Sequence, residues 1–287
     1  MEIDRKELKR QAKLAMHRAK PPFWVVSLVF ILMTTGVSLV LNTITFPVDQ
    51  GGFNFFGLFV SILFALYSAV VTFGHTLWSL WTHRSLDPDL SALTQGFTVT
   101  GKVLLLEINI QLRLLLWTMV AIPLLGFVVF PLMGPLSIIF GSVLIAGVMM
   151  AIYYRYALAP FLLADNPDAG PLTAIRRSVE LMRGWRWELF KLDFSFMGWE
   201  LLNGLFVSIV VTLFASQTGL LSMSVSGLTP YDAMSAYSTL ASNGLVMLCS
   251  TLVSLPIGMW LLPYRRIAKA GFYDARLRYQ QESAPKL

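Results

Sequence analysis

Apolar positions gather into six long runs, roughly 22–46, 53–81, 114–132, 135–164, 189–215 and 237–263, separated by short polar segments. A helix of ~20 residues crosses a hydrocarbon core ~30 Å thick, and each run is close to that length or longer. The pattern therefore predicts an all-α membrane protein with six transmembrane helices.

The polar segments carry a helical period of their own. Residues 2–20 set Arg5, Lys6, Lys9, Arg10, Lys13, Arg18 and Lys20 around a narrow stripe of Leu8, Ala12, Ala15 and Ala19. Asp4 followed by Glu7 resembles a capping box with Asp in the Ser/Thr role. Pro21 and Pro22 stop the helix, and Phe23-Trp24 open the first span with aromatics suited to the headgroup boundary. A basic amphipathic helix on the inner leaflet is expected. Asp165-Asn-Pro167-Asp168-Ala-Gly170-Pro171 breaks the chain again. Residues 172–188 then place Ile175, Val179 and Met182 opposite Arg176, Arg177, Arg183 and Arg186, a second helix for the inner surface. For residues 96–113 two readings stay open. Either the third span starts near Gly101 and buries Glu107 and Arg113, or this stretch lies on the surface and the crossing starts at Leu114. A charge at mid-bilayer costs ~2.5–3.5 kcal/mol, which favours the second.

Charge gives the orientation. The 22 Lys and Arg residues fall as 7 before the first run and 3, 6 and 6 in alternate polar segments, with none in the turns at 47–52, 131–135 and 216–236. Such an asymmetry puts both termini inside. One membrane domain over 1–287 is expected: a basic amphipathic helix at 1–21, a six-helix bundle at 22–264 and a basic tail at 265–287.

Composition excludes several classes. With 56% hydrophobic and 13% charged residues, the chain lies far from soluble domains. Its formal charge of +6 sits in blocks flanking the apolar runs, which fits anionic lipid headgroups and not nucleic acid. The lone Cys249, inside the last run, allows no intramolecular disulfide and no Cys-rich metal cage. His17, His75 and His83 are isolated, and there is no H-E-x-x-H, G-x-S-x-G or P-loop, so neither an enzyme nor a metal or other cofactor is expected.

Three constellations remain. Asp193, Glu200 and Asn203, at steps of 7 and 3, would share one face of the fifth span, with Arg155 at a similar depth as the expected partner of Glu200. That pair is either structural or part of a transport or ligand site. Gly57, Ser61, Ala65 and Ala69 form a small-residue row on the second span, for internal packing or for a homodimer. Trp185 and Trp187 beside Arg183 and Arg186 suit interfacial anchoring, or a lipid or partner surface together with Arg176 and Arg177.

From Tyr153 onward the chain resembles a known family through Tyr156-Ala-Leu-Ala-Pro-Phe-Leu-Leu-Ala-Asp165-Asn166-Pro167, Ala174-Ile-Arg-Arg-Ser178 and Leu181-Met182-Arg-Gly184. Leu189-Phe190-Lys-Leu-Asp193-Phe-Ser195-Phe-Met-Gly198-Trp199-Glu200-Leu-Leu, Leu262-Pro263-Tyr264 and Ala270-Gly-Phe272-Tyr273 continue the likeness, as does the opening Arg5-Lys-Glu-Leu-Lys-Arg-Gln-Ala12. In the middle, Leu116-Trp117 and Ile122-Pro123 match with the glycine delayed to Gly126. The family is the domain of unknown function 975, uncharacterised bacterial integral membrane proteins. The resemblance implies a multi-pass protein of the bacterial cytoplasmic membrane with a cytoplasmic face, and it supplies no reaction. The expected function is non-enzymatic: binding of anionic lipid, or of a membrane-protein partner, through the basic face. The alternative is a small transporter or channel using Glu200 and Arg155.

Overall fold

The computed structural model describes residues 4–45, 55–133, 137–217 and 243–283. The expected outer turns at 47–52 and 216–236 lie almost wholly outside these residues, as do the last residues of the 131–135 turn. Every regular element among the described residues is helical. Six of the helical segments are long and apolar enough to cross a membrane: Phe23–Leu41, Phe55–His83, Ala92–Pro123, Phe140–Asp165, Met197–Gln217 and Gly244–Glu282. The chain is a multi-pass membrane protein in its architecture.

Helix α1 (Arg5–Arg18) begins as its sequence suggests, since the Asp4 carboxylate accepts the Lys6 amide at 2.8 Å. Glu7 does not complete the box; it turns to Arg10 and Gln11 on its own helix, each at 2.7 Å. Replacing Asp4 by Ala should cost about 1 kcal/mol, the usual worth of an N-cap, read as a lowered midpoint in thermal unfolding in neutral detergent. The apolar stripe of α1 faces protein. Leu8, Ala12 and Met16 are buried against the last helix and the end of the second span. The expected leaflet-lying helix is thus a packed element, because its stripe meets a complementary apolar surface in its own chain.

The first span runs as α2 (Phe23–Ile31), a π-helical turn (Leu32–Gly36) and α3 (Val37–Thr45), and the second is α4 (Phe55–His83). A short α5 (Ala92–Gln95) and a 3₁₀ turn (Gly96–Val99) lead into α6 (Thr100–Met133). This helix shows no break at Leu114, so residues 100–113 are continuous with the third span. Its 34 residues reach ~51 Å at 1.5 Å per residue, longer than the hydrocarbon core. Val103, Leu106 and Ile110 of its first turns are buried in the protein.

The fourth crossing, α7 (Ser137–Tyr153), ends sooner than its apolar run; turns at 154–158 separate it from α8 (Ala159–Asp165). Next come α9 (Pro171–Leu181), α10 (Arg186–Phe194), α11 (Met197–Gln217) and α12 (Gly244–Ser283). The basic tail expected from residue 265 is not a tail: α12 continues through it for 40 residues, or ~60 Å. Ile267, Ala268, Ala270, Phe272 and Tyr273 are buried there against α1, α9 and α10.

Packing divides the molecule into two regimes. At the end carrying the basic residues, called the basic end below, α4 is buried through Val70, Val71, Phe73, Trp78 and Leu80. His75 is enclosed there by Phe30 and Trp78. Toward the other end Leu58, Phe59, Ile62 and Leu63 are exposed, and α11 buries Ala215 alone. Exposed apolar side chains there suit lipid, which has no preference for packing them together. The small-residue row is not packed as a unit: Gly57 is buried, but Ser61 and Ala65 face outward. Close helix approach occurs instead at Gly74 and Gly96, which bring α4 and the α5 region into backbone contact.

Candidate functional site

The polar residues of the fifth span lie on two helices, because Ser195 and Phe196 turn the chain between α10 and α11. The expected continuous face from Asp193 to Glu200 is broken there, yet one residue of α12 rejoins them. Arg265 donates through Nε to Asp193 at 2.9 Å and through Nη1 to Glu200 at 3.4 Å. Lys269, one turn further along α12, reaches the other Asp193 oxygen at 3.0 Å, and the Tyr154 hydroxyl donates to that oxygen at 3.0 Å. Burial pushes the Asp193 carboxyl up, but Lys269 and Arg265 outweigh it and hold its pKa below the ordinary carboxylate range.

Arg155 does not take the place expected for it. Glu200 pairs with Arg265, whereas Arg155 sits in the turns after α7, where its carbonyl accepts the Ser178 hydroxyl at 3.0 Å. Depth counted along straight helices fails here because both helices are interrupted, at 154–158 and at 195–196.

A cavity of about 420 Å³ opens beside the Asp193 cluster, between α11 and α12 and against Tyr153. Ile257, Gly258, Leu261 and Leu262 form one wall; Arg265, Arg266 and Lys269 line the basic end, with Glu200 and Asn203 opposite. Arg266 donates to the Thr72 carbonyl at 2.9 Å, with its guanidinium 5.0 Å from the Phe30 ring. Among the described residues it has no carboxylate partner. The Asn203 Oδ1 is likewise buried without a donor among them.

A second group of cations forms where α7, α9 and α10 meet. Arg186 lies within electrostatic reach of both Arg155 and Arg183, and its pKa is lowered by burial and then by their positive charges. None of the three makes an ion pair among the described residues, and the Nε atoms of Arg155 and Arg186 are buried without an acceptor. Glu188, the nearest acid in sequence, pairs with Lys191. Arg176 and Arg177 are exposed on α9. Trp185 packs against α12, with the Arg276 guanidinium 4.3 Å from its ring, while Trp187 is 64% exposed and stacks on Phe190. Only Trp187 of the two thus keeps the free face that interfacial anchoring uses.

A family model described as "Protein of unknown function (DUF975)" matches residues 1–279 of the 287. The chain belongs to the DUF975 family. No curated protein and no solved structure matches it.

In this DUF975 protein most of the residues that sequence reasoning missed lie on the second half of α12. Arg265, Arg266 and Lys269 look like ordinary flanking charges, and only the depth of Asp193 hints that they have a partner. Asp274 was equally hidden. Its carboxylate binds Arg84 at 2.7 and 3.1 Å, and Arg84 also binds Asp165 at 2.5 Å, so a single guanidinium ties α4 to α8 and α12. Both carboxylates raise the Arg84 pKa, and Tyr273 completes the clamp by donating to Asp165 at 3.0 Å. Every charged group of this clamp has a partner, and the clamp holds the base together. Among the described residues the Arg155 group and the cavity leave cations without a carboxylate partner, and no three His, Cys, Asp or Glu side chains gather to hold a metal.

Proposed function

We propose that this is a non-enzymatic protein of the bacterial cytoplasmic membrane, its basic end in the cytoplasm, that binds the phosphates of acidic phospholipids there. The observation that carries the reading is the Arg155, Arg183 and Arg186 group without a carboxylate partner. Gathered like charges cost energy, and buried guanidinium N–H groups without acceptors cost more, so such a group is expected to be completed by an anion. A phosphate suits it, because guanidinium donors match phosphate oxygens in pairs. The exposed Arg176 and Arg177 add to the surface potential that draws acidic lipid.

An arginine near an acidic leaflet is worth ~1 kcal/mol, so the three together should contribute ~3 kcal/mol at low salt. The unmodified protein should therefore melt higher in nanodiscs containing phosphatidylglycerol than in phosphatidylcholine alone. The triple variant Arg155→Gln, Arg183→Gln, Arg186→Gln should lose most of that difference. Indifference of the unmodified protein to lipid charge would count against the reading and favour an acidic protein partner.

A second reading, transport, is favoured by one observation: the cavity reaches Glu200 and Asn203. Transport requires Glu200→Gln to stop solute movement in proteoliposomes, whereas lipid binding at the arginine group survives that change.

A further inference from the structure

The cavity beside Glu200 has a polarity that one helix imposes on it. Along α12, Ile257, Leu261, Arg265 and Lys269 follow one another at i, i+4 spacing, and Gly258, Leu262 and Arg266 form the neighbouring row. Each row is apolar for its first turns and cationic from Arg265 onward. The change falls where the apolar run gives way to the basic end, so the cavity has an oily half and a cationic half.

Its charges are not balanced. Arg265 and Lys269 both hold Asp193, but Arg266, among the described residues, has a backbone carbonyl and an aromatic face and no carboxylate. Glu200 is the loosest member of the set. Its 3.4 Å contact with Arg265 is longer than either bond to Asp193, and its side chain is 51% exposed. An anion entering the cavity would meet Arg266 and Lys269 and would compete with Glu200 for Arg265.

We propose that this cavity is a binding site for a single anionic amphiphile, its acidic head held among Arg265, Arg266 and Lys269 in place of Glu200. The apolar chain lies along Ile257, Leu261 and Leu262. Glu200 is then an internal competitor that the ligand displaces, and its removal strengthens binding. The site uses none of the side chains of the Arg155 group and shares with it only the anionic chemistry of its ligand. An acidic phospholipid and a free fatty acid both have that chemistry.

The test is a titration of the full-length protein, in neutral detergent, with short-chain phosphatidylglycerol, with oleate and with short-chain phosphatidylcholine. Saturable binding of one molecule of phosphatidylglycerol or of oleate supports the site, and the tighter of the two identifies its source. Glu200→Gln should tighten that binding by about fivefold, the worth of a loose, half-exposed ion pair. Arg266→Gln should weaken it by about tenfold or more, as loss of a charge-assisted contact to the head requires. Gly258→Leu should do the same by filling the oily half; a Cβ at Gly258 meets nothing closer than Ile31 at 4.0 Å, so the fold admits it. The triple variant of Arg155, Arg183 and Arg186 should lose any phospholipid held at that group and keep the binding that Glu200→Gln tightens, which separates failure of this site from failure of the surface reading. Binding that is equal for phosphatidylcholine, that is unchanged or weaker in Glu200→Gln, or that is lost in the triple variant would overturn the proposal.

Discussion

Asp193→Asn should destabilise the folded protein by about 3 kcal/mol, the low end of the range for breaking a buried ion pair from one side. The Asp193 carboxylate is almost wholly enclosed and is the shared anion of Arg265 at 2.9 Å and Lys269 at 3.0 Å. Without it two cations face each other across a turn of α12 with only the looser Glu200 nearby. The low end applies because Arg265 keeps 37% of its side chain exposed and can turn partly toward water. The loss is read as a lowered midpoint of thermal unfolding in neutral detergent. Asp193→Leu combined with Arg265→Met and Lys269→Met should recover much of it, since removing all three charges leaves only the half-exposed Glu200 without its partner. The same carboxylate sets an acid limit. Its folded pKa lies below the unfolded value of about 3.9, so its contribution is complete above that pH and fades as pH falls through the folded value. Melting of the unmodified protein should therefore drop more steeply below about pH 4 than melting of Asp193→Asn.

Gly74→Ala should be at least as damaging, at about 3 kcal/mol or more, the upper part of the range for overpacking. A Cβ at Gly74 would lie 2.1 Å from the Leu93 carbonyl oxygen and 2.6 Å from its carbon. Both atoms are backbone, so no rotamer change relieves the clash; α4 must separate from the α5 region. Gly96 is the reciprocal position, with its Cβ 2.5 Å from the Val70 carbonyl oxygen. Gly96→Ala should cost a similar amount, and the double variant less than the sum, because the first separation already relieves the second contact. Gly204→Ala is the control. Nothing lies within 4 Å of a Cβ there, and the higher helix propensity of alanine should leave stability unchanged or raised by up to ~1 kcal/mol. Unfolding midpoints of the four variants in one detergent give the comparison.

The six crossings were legible because ~20-residue apolar windows are long-range averages that a few polar residues do not disturb. Helix ends were less so. The start of α6 at Thr100 is hidden because Lys102, Glu107 and Arg113 look costly in lipid, although a helix of 34 residues is longer than the hydrocarbon core and need not carry them inside it. The turns at 154–158 and 195–196 carry no strong breaker among the residues they occupy, so α7 and α10 were read too long and Arg155 was set opposite Glu200. The true partner, Arg265, lies 65 residues from Glu200 and 72 from Asp193. No local spacing rule reaches that far. The buried base of α12 was readable in principle: Ile267, Ala268, Ala270, Phe272 and Tyr273 recur at helical spacing, but the run of basic residues among them drew attention to charge alone.

The central claim is that unpaired arginines at the basic end hold acidic lipid. It is tested most directly by extracting the full-length protein from native membranes and counting the acidic phospholipids retained, beside the Arg155, Arg183 and Arg186 triple glutamine variant. Acidic lipid held in defined number by the unmodified protein and depleted in the variant is the expected result. Equal retention by the two proteins would contradict it.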